Sequence, residues 1–477
     1  MLTKLKSRNK TMDLTEGPLL SKMIRFVLPL MATNFLQTFY NAADMMVVSL
    51  SSETNAVGAI GATGSLTTLI VNLFMGFAVG TNILVARYLG AKDHERVKKT
   101  VHTSILMSLI FGGVAVIIGL LASRLILRMM GADGKILDLA TLYTKIYFCG
   151  APFLAATNYL SAIFRAKGDT ETPLMVLSVS GIINVLLNLL FVLGLGMSVE
   201  GVAIATAIAN LLSSLTLFFI LSKDDGLCKV SFDKLKIDGG AFAGIVREGL
   251  PAGIQGSLFS FSNIIMQSSV FRVNNALVGA ASEYAPVVNG AAATANLESF
   301  INTAINSIYQ STITFTSQNF GAKKYKRIKK IMVTSALFSM GIGVAISGLM
   351  IIFRAPMLSL YGVKDGIEGS MDQLAFRAAL TRMVCVTAPY FLLGFMNVTT
   401  GVMRGLGKTM TSTVISLIGA CLLRIFWIYS VFEFFPPLDP FPTLAMVSLS
   451  FPITWIITGV TQLLFSVFTL RSHLKKA

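Results

Sequence analysis

The sequence predicts an all-α polytopic membrane protein, with twelve transmembrane helices in two six-helix lobes related by a parallel internal repeat. Of the 477 residues, 54% are hydrophobic and only 13% are charged, whereas a soluble protein carries about 25% charged residues. Apolar stretches of about 20 residues follow one another, each long enough to cross a hydrocarbon core of about 30 Å. Short motifs also recur in the same order in the two halves of the chain.

Twelve apolar runs are interpreted as spans, with polar or charged connections between them. The six runs of the first half cover residues 24–50, 57–86, 101–123, 136–162, 172–195 and 201–222. The six runs of the second half cover residues 242–271, 286–317, 331–353, 376–401, 411–434 and 443–470. The predicted domains are an N-terminal lobe (1–222), a cytoplasmic linker (223–240) and a C-terminal lobe (241–477).

Basic residues collect in every second connection, which predicts the orientation of the chain. If the N-terminus lies inside the cell, the inner segments together with the adjoining inner ends of the spans hold 29 of the 39 Lys and Arg residues. The positive-inside rule then predicts a multi-pass protein of the cell membrane with both termini in the cytoplasm. Because these loops explain the net charge of +16, that charge does not indicate a nucleic-acid partner.

The chain lacks the common sequence signatures of enzymes and metal sites. It contains no GxxxxGK loop for ATP, no HExxH and no GxSxG. The four cysteines are far apart and do not have the spacing of metal ligands or of a redox pair. We therefore expect a protein that is not an enzyme and has no cofactor, with an H⁺ or Na⁺ gradient as its energy source.

Two pairs of loop motifs indicate an internal duplication. ARYLGAKDHERVKK at 86–99 matches SQNFGAKKYKRIKK at 317–330, and RAKGDTETP at 165–173 matches RGLGKTMTS at 404–412. The two pairs occur in the same order and at similar offsets along the chain. Six spans per half is an even number, so both halves enter the membrane from the same side. The repeats are therefore predicted to be parallel, with a shared cavity between the two lobes.

The first span carries a polar stripe that ends in a carboxylate. Asn34, Gln37, Asn41 and Asp44 follow at spacings of 3, 4 and 3 residues, which place them on one helix face, with Tyr40 beside it. A polar stripe in hydrocarbon should face a cavity or polar partners. We therefore predict that these residues line the substrate cavity. The alternative is that Asp44 merely lies at the outer mouth.

Spans five and eight contain further polar residues. Asn184 and Asn188 are four residues apart and share one face, either as part of an ion site or as a bond between helices. Glu298 lies near the middle of span eight. It is predicted to be a second coupling residue, and the alternative is a structural pair with one of three cations, which are Lys145, Arg382 and Arg424.

Five more residues complete the predicted site. Gln255, Arg382 and Arg424 lie in or near predicted spans and are assigned to the substrate cavity. Pro29 and Pro251 stand just inside the first span of each half. Both are assigned as hinges, because proline removes a helical hydrogen bond.

Together these features resemble the multidrug and toxic compound extrusion (MATE) family over nearly the whole chain. FYNAADMMVVS in the first span is similar to that family's YNxxDxxxxG pattern, which places the family's ion-coupling aspartate at Asp44. The loops at 86–99 and 317–330 look like those after the family's second and eighth spans. GLPAGIQGSLFSFSNIIMQ resembles its seventh span, and FRAKGDTETP and MRGLGKTMTS resemble its two other inner loops.

The resemblance implies an antiporter with alternating access, in which inward H⁺ or Na⁺ drives the export of organic cations and drugs. Asp44 would hold the coupling ion, as a direct ligand if the ion is Na⁺. The family commonly has Asn and Asp four apart on the fifth span, but here these positions are Asn184 and Asn188. The implied site therefore rests on one carboxylate and neutral oxygen ligands. The expected partners are small organic cations or drugs and membrane lipid, and the protein is expected to act as a monomer.

Two other functions stay open from the sequence. A flippase or exporter of a lipid-linked or amphipathic substrate needs several cations for phosphate, and Lys145, Arg382 and Arg424 would supply them. A membrane receptor or scaffold needs sizeable soluble segments, whereas the predicted connections between spans are short.

Overall fold

The computed structural model describes residues 12–51, 53, 55–231, 233, 235–279, 284–434 and 440–476, and the regular elements in these ranges are helices. The first half contains α1 (Leu19–Ser49), α2 (Ala56–Gly90), α3 (His94–Met129), α4 (Gly134–Cys149 and Ala151–Ala166), α5 (Glu171–Gly194) and α6 (Val199–Ser222). The second half contains α7 (Gly239–Val278), α8 (Pro286–Gly321), α9 (Tyr325–Ile352), α10 (Met371–Gly405), α11 (Thr409–Phe432) and α12 (Pro440–Lys476).

These helices confirm the predicted polytopic architecture. Nine of the described helices are long and apolar enough to cross a membrane, and the two segments of α4, bent by 48°, make a tenth. The other two, α7 and α8, have 40 and 36 residues. At 1.5 Å per residue both are still long enough to span about 30 Å. Several helices run past the predicted spans: α3, predicted over 101–123, covers His94–Met129.

The backbone of the loops repeats in the way the sequence predicts. Lys92 and Lys323, each the lysine of the GAK triplet in its matched loop, are the two non-glycine residues with positive φ in the described chain, at 58° and 57°. Non-glycine residues rarely adopt this conformation, so its recurrence at equivalent positions is specific. Gly168 and Gly407, which are equivalent in the other matched pair of loops, likewise share positive φ angles of 87° and 77°. The two halves therefore keep the same loop geometry.

The chain forms two compact units that do not divide at the linker. The N-terminal unit comprises Met1–Gly256 and Ser317–Lys324, and the C-terminal unit comprises Ser257–Thr316 and Tyr325–Ala477. The first part of α7 thus packs with α1–α6, although it follows the predicted boundary at residue 241. Glycines allow this packing: a Cβ on Gly76 of α2 would lie 2.3 Å from the Gly253 nitrogen of α7.

The last turns of α8 anchor the N-terminal segment within the N-terminal unit. Leu14 is fully buried, and its backbone N–H donates to Gln318 Oε1 at 3.3 Å. Asn319 Nδ2 donates to the Leu14 carbonyl at 3.1 Å, and Gln318 Nε2 donates to the Ala166 carbonyl at 2.6 Å. Two side chains of the repeated loop motif at 317–330 therefore tie the segment around Leu14 to the end of α4.

A pair of neighbouring glycines in α3 gives a direct test of helix packing. A Cβ on Gly112 would lie 2.3 Å from Cα of Pro152 in α4, whereas a Cβ on Gly113 would meet nothing within 4 Å. We expect Gly112→Ala to lower the thermal stability of the purified protein, because the backbone of α4 would have to move. Gly113→Ala should keep stability or raise it by up to about 1 kcal/mol, the helix-propensity difference between Ala and Gly. Equal melting temperatures in detergent for the two variants would contradict the close approach.

Candidate functional site

The polar stripe of α1 divides into residues with different surroundings. Gln37 and Asn41 are exposed, while Asn34 and Asp44 are partly buried. The Tyr40 hydroxyl donates to the Ser178 carbonyl of α5 at 3.1 Å.

The ring of Tyr40 occupies the space that Gly181 leaves open, because a Cβ on Gly181 would lie 1.8 Å from Cε2 of Tyr40. Tyr40 therefore fastens α1 to α5 beside the stripe.

Asp44 joins a cluster of uncharged polar side chains from two other helices. Asn188 Nδ2 on α5 donates to Asp44 Oδ1 at 2.5 Å, and the Thr206 hydroxyl on α6 donates to Asp44 Oδ2 at 3.5 Å. Asn188 Nδ2 also lies 3.4 Å from Asn184 Oδ1, and Asn184 Nδ2 lies 3.4 Å from Thr206 Oγ1. The structure thus brings together Asp44, Asn184 and Asn188, which the sequence singled out, and adds Thr206. We call these four residues the Asp44 cluster.

Sequence reasoning missed Thr206 because nothing distinguishes it locally. It lies in the run AIATAIAN, among small residues that suit close helix packing. The one available signal is Asn210, four residues later, whose Nδ2 donates to the Thr206 carbonyl at 2.9 Å and so gives α6 a short polar face.

One oxygen of the cluster is left without a donor. Asn188 is fully buried, and its Oδ1 has no hydrogen-bond partner among the described residues. A buried amide oxygen without a partner costs free energy of roughly 1–3 kcal/mol, so it marks a place where a cation or a donor would be stabilised. The described chain has no group of three or more His, Cys, Asp or Glu suited to a metal ion. With a single carboxylate, the cluster matches a monovalent charge.

An apolar layer closes one side of the Asp44 cluster. Val47 and Val48 follow Asp44 on α1, Val192 follows Asn188 by one turn on α5, and Val202 precedes Thr206 by one turn on α6. All four belong to one buried hydrophobic cluster. A hydrated ion could reach Asp44 from this side only if α1, α5 and α6 separated locally, because apolar packing excludes water.

Glu298 of α8 lies in an ion pair within the C-terminal unit. Arg382 of α10 donates from Nη2 to Glu298 Oε2 at 2.7 Å and from Nε to Oε1 at 3.2 Å. The Thr387 hydroxyl donates to Glu298 Oε1 at 3.0 Å. Both charged residues are buried. Of the three cations that the sequence offered as partners, Arg382 is therefore the one in contact.

A local change in helix geometry places both donors against Glu298. Residues five apart in an α-helix point in different directions, but α10 has a π-helical turn over Met383–Thr387. Because a π-turn bonds residue i to residue i+5, Arg382 and Thr387 face the same way. Pro389 lies two residues after this turn and has non-helical φ and ψ angles of −84° and 16°. Because proline has no backbone N–H, it cannot donate a hydrogen bond to the helix.

The remaining predicted site residues lie in several places. Gln255 on α7 is 7% exposed, and Arg424 on α11 is buried against the Phe451 ring at 4.2 Å. Pro29 and Pro251 are interior residues of α1 and α7. The Thr33 hydroxyl donates to the Pro29 carbonyl at 2.9 Å.

Comparison with known families identifies the group to which this chain belongs. The MatE family model matches it twice, over residues 29–190 and 259–430, which together exceed half of its length. The chain belongs to the MatE family. The two matched segments fall in the two halves of the internal repeat, so both observations describe one duplication.

The named relatives of this MatE protein are described as resistance or export proteins. It is 28% identical over 404 residues to the probable multidrug resistance protein YoeA of Bacillus subtilis, covering 83% of each chain. It is 22% identical over 416 residues to the multidrug export protein MepA of Staphylococcus aureus, covering 87% of this chain and 88% of MepA. These names and the apolar helices agree in making the protein a multi-pass membrane transporter.

Solved structures share the fold of this MatE protein. The outward-facing structure of a multidrug resistance MATE family transporter of the MOP superfamily superposes with a TM-score of 0.86, covering 98% of this chain and all of that one. Sequence identity in that comparison is 20%. At this level of identity the likeness shows the fold, and site roles must come from this chain's own residues.

The Glu298–Arg382 pair can be tested through stability. Glu298→Gln removes the carboxylate and leaves the Arg382 guanidinium buried without its counter-charge, which costs about 3–5 kcal/mol. We expect a clear loss of thermal stability in detergent, and we expect the double variant Glu298→Gln/Arg382→Gln to recover most of it.

Glu95→Gln is the matched control, because the Glu95–Lys99 pair is exposed and its loss should leave the melting temperature almost unchanged. A melting temperature for Glu298→Gln as high as that of the parent protein would show that the pair contributes little.

Proposed function

We propose that this MatE protein is a secondary active antiporter that exports small organic cations and drugs in exchange for inward H⁺ or Na⁺. The observation that carries the proposal is the Asp44 cluster, in which one carboxylate of a spanning helix is surrounded by uncharged polar side chains. The multidrug resistance and export names of the relatives support the substrate class. The expected coupling residue is Asp44, with Asn184, Asn188 and Thr206 as its neutral partners.

The charge of the cluster suits it to exchange one cation for another. Asp44 makes its hydrogen bonds to Asn188 and Thr206 and has no ion pair with a described Lys or Arg. A carboxylate inside a membrane protein is costly unless it is protonated, paired or ion-bound. A proton, a sodium ion or a cationic substrate would each satisfy it, and each excludes the others. Mutual exclusion at one carboxylate is the basis of exchange.

Binding at Asp44 changes the bonds that hold α1 to its neighbours. A protonated carboxyl group carries a donor of its own and accepts more weakly at the protonated oxygen, so the bond that Asn188 or Thr206 donates to that oxygen is weakened. A sodium ion would instead draw the Asp44 oxygens and the unpartnered Asn188 Oδ1 toward itself. In either case the α1–α5 and α1–α6 contacts alter when the ion binds. A ligand that binds two arrangements unequally shifts the population between them.

The position of Pro29 fits this role for α1. It precedes Asp44 by about four turns of the same helix, which is roughly 22 Å along the axis. Proline deletes one helical hydrogen bond and favours bending at that point. The exposed amides of Gln37 and Asn41 lie between the two, and we propose that they contact the substrate cation. A bend at Pro29 would move these amides together with Asp44.

Asp44→Asn keeps the size of the side chain and removes its charge. We expect it to reduce gradient-driven efflux of an organic-cation dye at least tenfold, because neither proton nor sodium would be held. The assay uses proteoliposomes with Na⁺ and pH gradients imposed separately, so it also identifies the coupling ion.

The control for Asp44→Asn is Asp138→Asn. Asp138 pairs with Arg124 at 2.8 Å, but both side chains are 62% exposed, so efflux should be unchanged. Normal efflux by Asp44→Asn would contradict the proposal. It would mean that the polar stripe of α1 only lines the outer opening of the protein.

Glu298 remains a predicted second coupling residue, and its ion pair determines how the role is tested. Since the single variant is expected to be unstable, the double variant Glu298→Gln/Arg382→Gln is the one to assay for efflux. A changed pH or Na⁺ dependence would support coupling at Glu298, whereas an unchanged dependence would assign the pair to stability alone.

We also propose that both termini and the linker face the cytoplasm of a cell-membrane protein. In a cysteine-free background, Lys229→Cys in the linker and Asp133→Cys between α3 and α4 place exposed thiols on opposite predicted sides. An impermeant maleimide applied to intact cells should label position 133 but not position 229. Position 229 should become labelled only after the membrane is permeabilised. Ready labelling of position 229 in intact cells would contradict this orientation.

A further inference from the structure

Arg424 is a buried cation with most of its hydrogen-bonding capacity unused. It is 6% exposed, and its described hydrogen bond runs from Nη2 to the Thr454 hydroxyl, at a long 3.3 Å. Its Nε has no partner among the described residues. Because a guanidinium presents five N–H donors in one plane, the remaining donors of Arg424 are available to a ligand.

The nearby carboxylate is already committed to a different arginine. Arg382 and Arg424 lie over the same Phe451 ring, with guanidinium carbons 5.5 and 4.2 Å from its centroid. Glu298 makes both of its charged hydrogen bonds to Arg382. In the described part of the C-terminal unit, this group therefore holds two cations and one anion. Arginine inside a membrane protein is paired or marks the path of a ligand.

A series of three aromatic rings begins at Arg424, whose guanidinium carbon lies 4.2 Å from the Phe451 centroid. The rings of Phe451 and Trp455 have centroids 5.7 Å apart, and those of Trp455 and Tyr390 have centroids 5.2 Å apart. A guanidinium binds a carboxylate through two parallel hydrogen bonds. Aromatic walls favour a flat ring in offset or edge-to-face contact. The two features together fit a ligand that carries a carboxylate on an aromatic body.

We propose that Arg424, Phe451, Trp455 and Tyr390 form a binding site for an aromatic carboxylate inside the C-terminal unit. This goes beyond the export of organic cations, because it adds anions and zwitterions to the molecules that the protein binds. It does not depend on which ion drives transport, since the site shares no residue with the Asp44 cluster. The competing explanation is that Arg424 is satisfied by its contact with Phe451 alone.

The fluorescence of Trp455 can report on binding at the proposed site. The chain has two tryptophans, and Trp427→Phe leaves Trp455, which lies next to Phe451, as the single one. The purified full-length Trp427→Phe protein is titrated with radiolabelled benzoate and, in parallel, followed by tryptophan fluorescence. We expect one saturable benzoate site per chain, a change in Trp455 emission over the same concentration range, and no competition from benzyltrimethylammonium, a cation of similar size.

Three substitutions locate the benzoate site. Arg424→Gln should weaken benzoate binding at least tenfold, and Arg424→Lys should weaken it less, because lysine keeps the charge but loses the two-pronged hydrogen bond. Arg377→Gln is the matched control. Arg377 is also an arginine stacked on a phenylalanine, with its guanidinium carbon 4.3 Å from the Phe441 centroid, but it is exposed. Its substitution should leave benzoate affinity unchanged.

Three results would overturn the proposal. They are the absence of saturable benzoate binding, unchanged affinity in Arg424→Gln, and equal competition by the cation. If Arg424→Gln fails to fold, the Arg424→Lys variant tests the proposal instead. A benzoate affinity equal to that of the parent protein in Arg424→Lys would exclude a two-pronged contact and overturn the proposal. All of these measurements are made without an ion gradient, so their failure would leave the efflux test of Asp44 unaffected.

Discussion

Polar groups inside a membrane-spanning bundle must find their partners within the protein, because hydrocarbon offers none. Gln462 on α12 shows how this is met when the role is structural. It is fully buried, its Oε1 accepts from Thr400 at 2.7 Å, and its Nε2 donates to Ser416 Oγ at 2.8 Å. Both ends of that amide are satisfied. In the Asp44 cluster the comparable amide, Asn188, is satisfied at Nδ2, whereas its Oδ1 has no partner in the part of the chain that the structure describes. Under our proposal, this difference separates a group that holds helices together from one that can bind an ion.

The duplication supplied two similar frames, and the polar groups within them have diverged. The loop backbones still match, down to the left-handed lysines at positions 92 and 323. The N-terminal unit carries an aspartate among neutral amides and a hydroxyl, which suits a cation. The C-terminal unit carries a glutamate held by Arg382 and a second arginine beside aromatic rings, which suits an anion. Loop geometry is kept because the connections must turn the chain at the same places, whereas a buried site can change its charge with few substitutions.

Close backbone contacts explain why the packing units differ from the halves of the sequence. Where α2 and α7 meet, Gly76 and Gly253 have no side chains to hold the helices apart. Membrane helices gain little from the hydrophobic effect between them, so such close contacts contribute strongly to association. The first part of α7 therefore belongs to the N-terminal unit, although the chain reaches it only after the linker. The last turns of α8 belong there for a related reason, since Gln318 and Asn319 hydrogen-bond to backbone of that unit.

The sequence alone determined what depends on local periodicity and composition. Apolar length indicated the spans, charged loops predicted the orientation, repeated motifs revealed the duplication, and helical spacing put Asn184 and Asn188 on one face with Asp44 as the outstanding carboxylate. Tertiary structure decided which faces meet. Only packing showed that Thr206 approaches Asp44, that Arg382 rather than Lys145 or Arg424 pairs with Glu298, and that a π-turn aims Thr387 at the same carboxylate. The physical reason is that periodicity orients a side chain about its own helix axis, whereas the identity of the neighbouring helix depends on contacts between residues far apart in the chain, such as Asp44 and Thr206, which are 162 positions apart.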